Sequence, residues 1–308
     1  MASLAITPFA ARRPLPVYQN LESFPFAFQP LTLKRRFSVE VCGSSFLWWS
    51  KRPRRARNHV CSSFLVGSAG KDALCTAAGF AGAYAWIRIF DLLGEKNVLE
   101  QKLSRKLIHV STGLLYVMLW PFFSASPWSR FFALAIPMAN ATRLAVNGFG
   151  LLKDEGFVKS ISREGTAGEL LRGPFYYALV LSCCTVCFWR DSPVGMTAIA
   201  IMCGGDGIAD IVGRRIGGIK LPHNTRKSWA GSISMFVFGF ALSVCFLYYF
   251  STSGYYLVDW TSAIWNVALI SFVATVVESL PISGFLDDNI SVPLASVILG
   301  LALFSTSM

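Results

Sequence analysis

Charge is scarce in this chain. Asp, Glu, Lys and Arg make up 15% of its 308 residues against 54% hydrophobic ones, with a mean hydropathy of +0.50. That leaves too little polar surface to cover a soluble globule of this size, so an integral membrane protein is the first reading. Several motifs are missing as well: there is no GxxxxGK[ST], no kinase glycine loop, no HExxH and no GxSxG. A phosphotransferase of the P-loop or protein-kinase type is thereby excluded. The formal charge of +11 suggests nucleic acid until it is divided by position. Residues 1–70 hold ten Lys/Arg and two Asp/Glu, whereas residues 71–308 hold eighteen and fifteen. No basic stripe with interleaved aromatics survives in the larger part, which argues against a nucleic-acid partner. The eight cysteines add little. Cys184 and Cys187 form a CxxC inside the apolar run 178–189, without a His or a basic neighbour to activate a thiol, and read as small packing residues.

What is present falls into two parts. Residues 1–65 are rich in Ser, Arg and Pro, carry Glu22 and Glu40 as their only acids, and have no long apolar h-region. This composition predicts an organelle transit peptide, chloroplast rather than mitochondrial on its Ser content and MAS start, cleaved from a membrane domain over 70–308; the alternative is a basic arm on a cytosolic face. Beyond it, continuous apolar runs lie near 73–93, 107–123, 129–148, 174–190, 193–212, 232–250, 262–280 and 290–306. The runs do not alternate at period two, so the expected fold is all-α: a polytopic bundle of six to eight transmembrane helices. With eight spans, the loops after the first, third, fifth and seventh hold thirteen Lys/Arg, and the loops between them hold only Arg130 and Arg190. The positive-inside rule predicts that asymmetry, and it opens the polar segments on one face.

The most informative segment is CGGDGIADIVGRRIGGIKLPHNTRKSWAGS, residues 203–232. Asp206 and Asp210 are four apart, which on a helix places both carboxylates on one face at the end of an apolar span, where an unpaired charge is costly. Mg²⁺ is commonly held by one or two carboxylates together with substrate phosphates, and Arg214, Arg215, Lys220 and Lys227 follow as phosphate-binding cations. Gly205 and Gly207 would let backbone approach a ligand. The bland alternative is an i,i+4 pair between Asp210 and Arg214 beside a positive-inside loop. A second acidic set closes the chain: Glu278 ends the seventh run, and Asp287, Asp288 and Asn289 precede the eighth. A carboxylate there could accept the proton of an alcohol or complete a metal shell, although solvated turns also look like this. Supporting polar positions are Arg105, Lys106 and His109 at the second run, Asn140 and Arg143 in the third, and Arg172 before the fourth.

The run GDGIADIVGRRIGGIKLPHNTRKSWAGSISMF, with SRKLIHVSTGLLY upstream, REGTAGELLRGPFYY between them and ESLPISGFLDDNISVPLA downstream, resembles the polyprenol kinase family across residues 72–305. The resemblance implies phosphorylation of an isoprenoid alcohol by CTP at a chloroplast membrane, the envelope foremost. Phytol is the first candidate acceptor, geranylgeraniol or farnesol the alternatives, and tocopherol synthesis the use of the product. It adds Ser228 to the nucleotide-binding set. Asp206 and Asp210 would hold Mg²⁺, Arg214, Lys220 and Lys227 would face the phosphates, and Asp287 or Asp288 would position the alcohol. A cytidylyltransferase making a CDP-lipid is the nearest competitor. An ion-coupled transporter would be expected to carry an internal repeat of spans, which is absent.

Overall fold

The computed structural model describes residues 67–304 apart from 97, 153, 163–164 and 282–285. The transit segment expected over 1–65 lies outside the described residues. Each of the eight apolar runs is helical. In chain order these are α1 (Ser68–Glu95), α2 (Gln101–Leu119), α3 (Ser129–Gly148), a short α4 (Glu155–Ile161) and α5 (Gly173–Cys187). A composite run follows, built from α6 (Pro193–Ala200), a π-helical turn over Ile201–Asp206 and α7 (Gly207–Ile216). Then come α8 (Trp229–Thr252), α9 (Trp260–Ser279) and α10 (Asp288–Phe304). The expectation of an all-α helical bundle agrees with this architecture. Two elements departed from the apolar pattern: α4, N-capped by the Asp154 side chain accepting from Phe157 N at 3.0 Å, and a small antiparallel hairpin, β1 (Lys220–Leu221) with β2 (Asn224–Ser228).

Five stretches among the described residues are long and apolar enough to cross a membrane: Ser68–Gly94, Ala167–Cys187, Pro193–Ile216, Trp229–Thr252 and Trp260–Ser279. α10 is apolar but shorter. α2 and α3 fall short because they carry Lys102, Arg105, Lys106, Asn140 and Arg143, most of which line an open cavity described below.

The composite run is the axis of the bundle. It starts at Ser192, whose hydroxyl accepts from Val194 N while Pro193 fills the first helical position. It is buried from Pro193 through Gly205. Close crossing with α8 depends on Gly205. A Cβ there would lie 3.2 Å from Met235 O and 3.4 Å from Gly239 Cα, so a side chain at Gly205 would press on the α8 backbone.

α1 is fastened to the bundle by polar bonds at intervals. Asp72 is buried and accepts from Ser124 N at 2.6 Å and Ser124 Oγ at 2.7 Å. Thr76 Oγ1 donates to Phe132 O at 3.0 Å, and Trp86 Nε1 donates to Ser111 Oγ at 2.7 Å. The Asp72 end is reinforced by the buried Arg190, which donates to the carbonyls of Trp120, Phe123 and Ser124. These bonds satisfy polar groups that would otherwise be stranded in an apolar setting.

Candidate active site

Three carboxylates distant in sequence meet at one point. Asp206 ends the π turn, Glu278 lies in the last turn of α9 and Asp288 opens α10; one oxygen from each lies within 4.8 Å of the others. Lys227, on β2, reaches among them: its Nζ is 2.9 Å from Asp288 Oδ2 and also donates to Glu278 Oε1. Burial works against the Lys227 ammonium, but Glu278, Asp288 and Asp206 outweigh it and hold its pKa above the ordinary lysine value.

The hairpin aims Lys227 inward because both of its ends are pinned. The Asn224 amide donates to the carbonyls of Ser279 (3.0 Å) and Leu280 (3.3 Å), and His223 Nε2 lies 3.1 Å from Ser279 Oγ. At the other end Ser228 N-caps α8, accepting from Gly231 N at 3.2 Å. Its hydroxyl packs against α7 at Gly213, where a Cβ would come within 3.1 Å of Ser228 Oγ. Lys220 and Arg226 stay exposed on the same hairpin.

Asp210 stands one helical turn beyond Asp206 and is held by Lys106 (3.0 Å) and Arg214 (2.8 Å). Asp287 turns back on its own loop, with Oδ1 accepting from Asn289 N (2.9 Å) and Asn289 Nδ2 (2.8 Å). Gly173 lies against this pair: a Cβ there would sit 3.3 Å from Asn289 Nδ2, a tight contact that would press on the Asn289 amide. All these groups open on one cavity of about 2610 Å³. Its charged end is formed by the carboxylates and cations just named. Its other end is apolar, with Leu119, Ile136 and Leu181 on three different helices.

The comparisons with known proteins are decisive at this point. The chain is 51% identical over 245 residues to "Phytol kinase 1, chloroplastic" of Arabidopsis thaliana, covering 80% of this chain and 81% of that protein. It is 53% identical to "Probable phytol kinase 1, chloroplastic" of Glycine max (76% and 79% covered) and 50% identical to "Probable phytol kinase, chloroplastic" of Zea mays (77% and 78%). The chain belongs to the phytol kinase family. No family model matches it, and neither does any solved structure.

Within this phytol kinase family member, most residues singled out from sequence converge on the cavity: Asp206, Asp210, Arg214, Lys220, Lys227, Ser228, Glu278, Asp287, Asp288 and Asn289 line it, as do Arg105, Lys106, His109, Asn140, Arg143 and Arg172. Gly205 and Gly207 do not. Their missing Cβ atoms serve helix packing, against α8 for Gly205 and against Val110 of α2 for Gly207, so neither offers backbone to a ligand. The two aspartates taken together as metal ligands have different neighbours. Asp206 joins Glu278 and Asp288, whereas Asp210 forms the i,i+4 pair with Arg214 that its spacing allowed. Lys227 faces carboxylates, not an open loop surface.

Several wall residues are fixed by neighbours. Arg105 donates to Ser162 O at 2.8 Å, and the His109 ring lies 4.0 Å from that of Tyr177. Arg143 is 3.4 Å from Asp154 and stacks 3.8 Å over the Phe157 ring. Asn224, His223 and Ser279 were not singled out from sequence, because no spacing links a hairpin residue to a helix end 55 positions away.

The carboxylate cluster passes a chemical test for a divalent cation. All its donors are oxygens, and Glu278 Oε2 and Asp288 Oδ1 are buried with no hydrogen-bond partner. Mg²⁺ prefers such hard ligands.

Proposed function

We propose that this chain is itself a phytol kinase, transferring the terminal phosphate of CTP to the hydroxyl of phytol in a chloroplast membrane and so supplying phytyl phosphate for tocopherol synthesis. The observation that carries this reading is the single cavity that joins a cluster of carboxylates and cations to apolar walls. A nucleoside triphosphate suits the first and a lipid alcohol the second. The names of the relatives support the acceptor.

In this reading Asp206, Glu278 and Asp288 hold Mg²⁺. When bound, the ion would offset charge on the transferring phosphoryl group. Arg214 and Lys220 neutralise nucleotide phosphates, Lys227 balances the carboxylates beside them, and Asp210 orients Lys106 and Arg214 at their edge. Asp287, steadied by Asn289, is placed to accept the alcohol proton as the prenol oxygen bonds to the terminal phosphorus and the nucleoside diphosphate departs. Little covalent work falls to the protein, so alignment and charge placement must provide most of the acceleration.

The test is purified protein in detergent or lipid, assayed with CTP, ATP, GTP and UTP against phytol, geranylgeraniol and farnesol. Phytyl phosphate formed best with CTP is the expected result. Failure to phosphorylate any prenol would remove the reading, and preference for farnesol would move the acceptor.

A further inference from the structure

A second feature of the cavity bears on which alcohol it accepts. The face of α1 that meets the bundle runs through Asp72, Thr76, Gly79, Gly82 and Trp86, spaced three or four apart. Contact along that face is interrupted. Asp72 and Thr76 are bonded to the segment around α3, and a Cβ on Gly79 would lie 2.5 Å from Ile136 Cδ1 and 2.8 Å from Leu119 Cδ2. Trp86 is bonded to Ser111 on α2. Between these points Gly82 lines the cavity, and a Cβ added to it would meet nothing within 4 Å. The helices are tight at Gly79, joined again at Trp86, and open between.

The register of the two antiparallel helices is set by the Trp86–Ser111 bond and the Gly79–Leu119 contact, which puts Gly82 near the level of Leu115. Leu115 also lines the cavity and is 44% exposed. Charge decreases in the same direction. Along α2 the cavity wall reads Lys106, His109, Thr112, Leu115 and Leu119. At about 1.5 Å per residue, the distance from Lys106 to Leu119 is roughly 20 Å, the reach of an extended diterpenoid chain.

We infer that the gap between α1 and the α2–α3 pair at Gly82 and Leu115 is the berth of the prenyl chain, and that its closed end at Gly79, Leu119 and Ile136 sets the chain length accepted. This rests on the proposed prenol kinase activity and adds what selects the acceptor. The hydroxyl lies at the carboxylate end, the chain passes His109 and Thr112, and the terminal methyls reach Ile136. Burial of apolar surface would favour the chain that fills the berth over a shorter one that leaves part of it empty.

Gly82→Trp is the informative variant, since a Cβ there meets nothing within 4 Å and the ring beyond it would occupy the gap. Full-length wild type and variant are compared by kcat/KM with phytol, farnesol and geraniol under one nucleotide. The variant should lose about tenfold or more with phytol, the scale on which apolar pockets discriminate, while geraniol is phosphorylated nearly as before. Equal losses for all three acceptors, or no loss, would overturn the inference. Ile136→Ala provides an independent check: enlarging the closed end should raise activity with a prenol longer than phytol relative to phytol itself, and an unchanged length profile counts against the berth. A wild type inactive on every prenol defeats the proposed function. A wild type active on phytol whose two variants keep its length profile defeats this inference alone.

Discussion

Asp206→Asn is expected to reduce turnover about a hundredfold or more, the cost of losing one preorganised electrostatic contact, without lowering stability. Asn keeps the shape of Asp. It also removes one of three carboxylates crowded within 4.8 Å, so like-charge repulsion eases and the fold does not suffer. Kinetics and a thermal melt on the same preparation separate the two effects: kcat falls while the melting midpoint holds or rises. Asp210→Asn should behave differently. Asp210 is committed to Lys106 and Arg214, so its loss should loosen the fold and weaken nucleotide binding, with a smaller effect on kcat. Near-normal turnover in Asp206→Asn beside a severe loss in Asp210→Asn would move the chemistry one turn along the helix.

The second large effect is on stability. Lys227→Met removes the ammonium from between Glu278 and Asp288 and leaves buried carboxylates uncompensated. Breaking a buried pair costs about 3–5 kcal/mol, and because the Lys227 side chain is 22% exposed, the lower end, about 3 kcal/mol, is expected. The melting midpoint should drop clearly, and Lys227→Met with Glu278→Gln should recover much of it while remaining inactive, the non-additivity that two groups in contact must show. The pH dependence has a definite sign. The folded-state pKa of Lys227 lies above the ordinary value, so its contribution to stability is fully present below about 10.4 and is lost only as pH rises through the higher folded value. A melting midpoint insensitive to Lys227→Met would show that the cluster is solvated and the ion pairs are weak.

The helices were legible in the sequence because hydrocarbon thickness imposes a length on every apolar run, and eight such runs became eight helical stretches. Most of the polar residues at their ends line one cavity, as the one-sided loop charge led one to expect. Three features were not legible. The π turn over Ile201–Asp206, packed against α8 at Gly205, has no residue pattern that announces it, and it ends at Asp206. Glu278 was visible only as an acid at a helix end; its meeting with Asp206 depends on the packing of α9 and α10 against the axis. The hairpin that carries Lys227 is too short for strand periodicity and is held by side-chain bonds from Asn224 and His223.

Transfer of a terminal phosphate onto a lipid alcohol is tested by supplying phytol with CTP labelled in either the γ- or the α-phosphate and separating lipid from nucleotide. γ-Label in phytyl phosphate and α-label retained in CDP is the expected result. α-Label in the lipid fraction, with pyrophosphate released, would contradict it and make the protein a cytidylyltransferase.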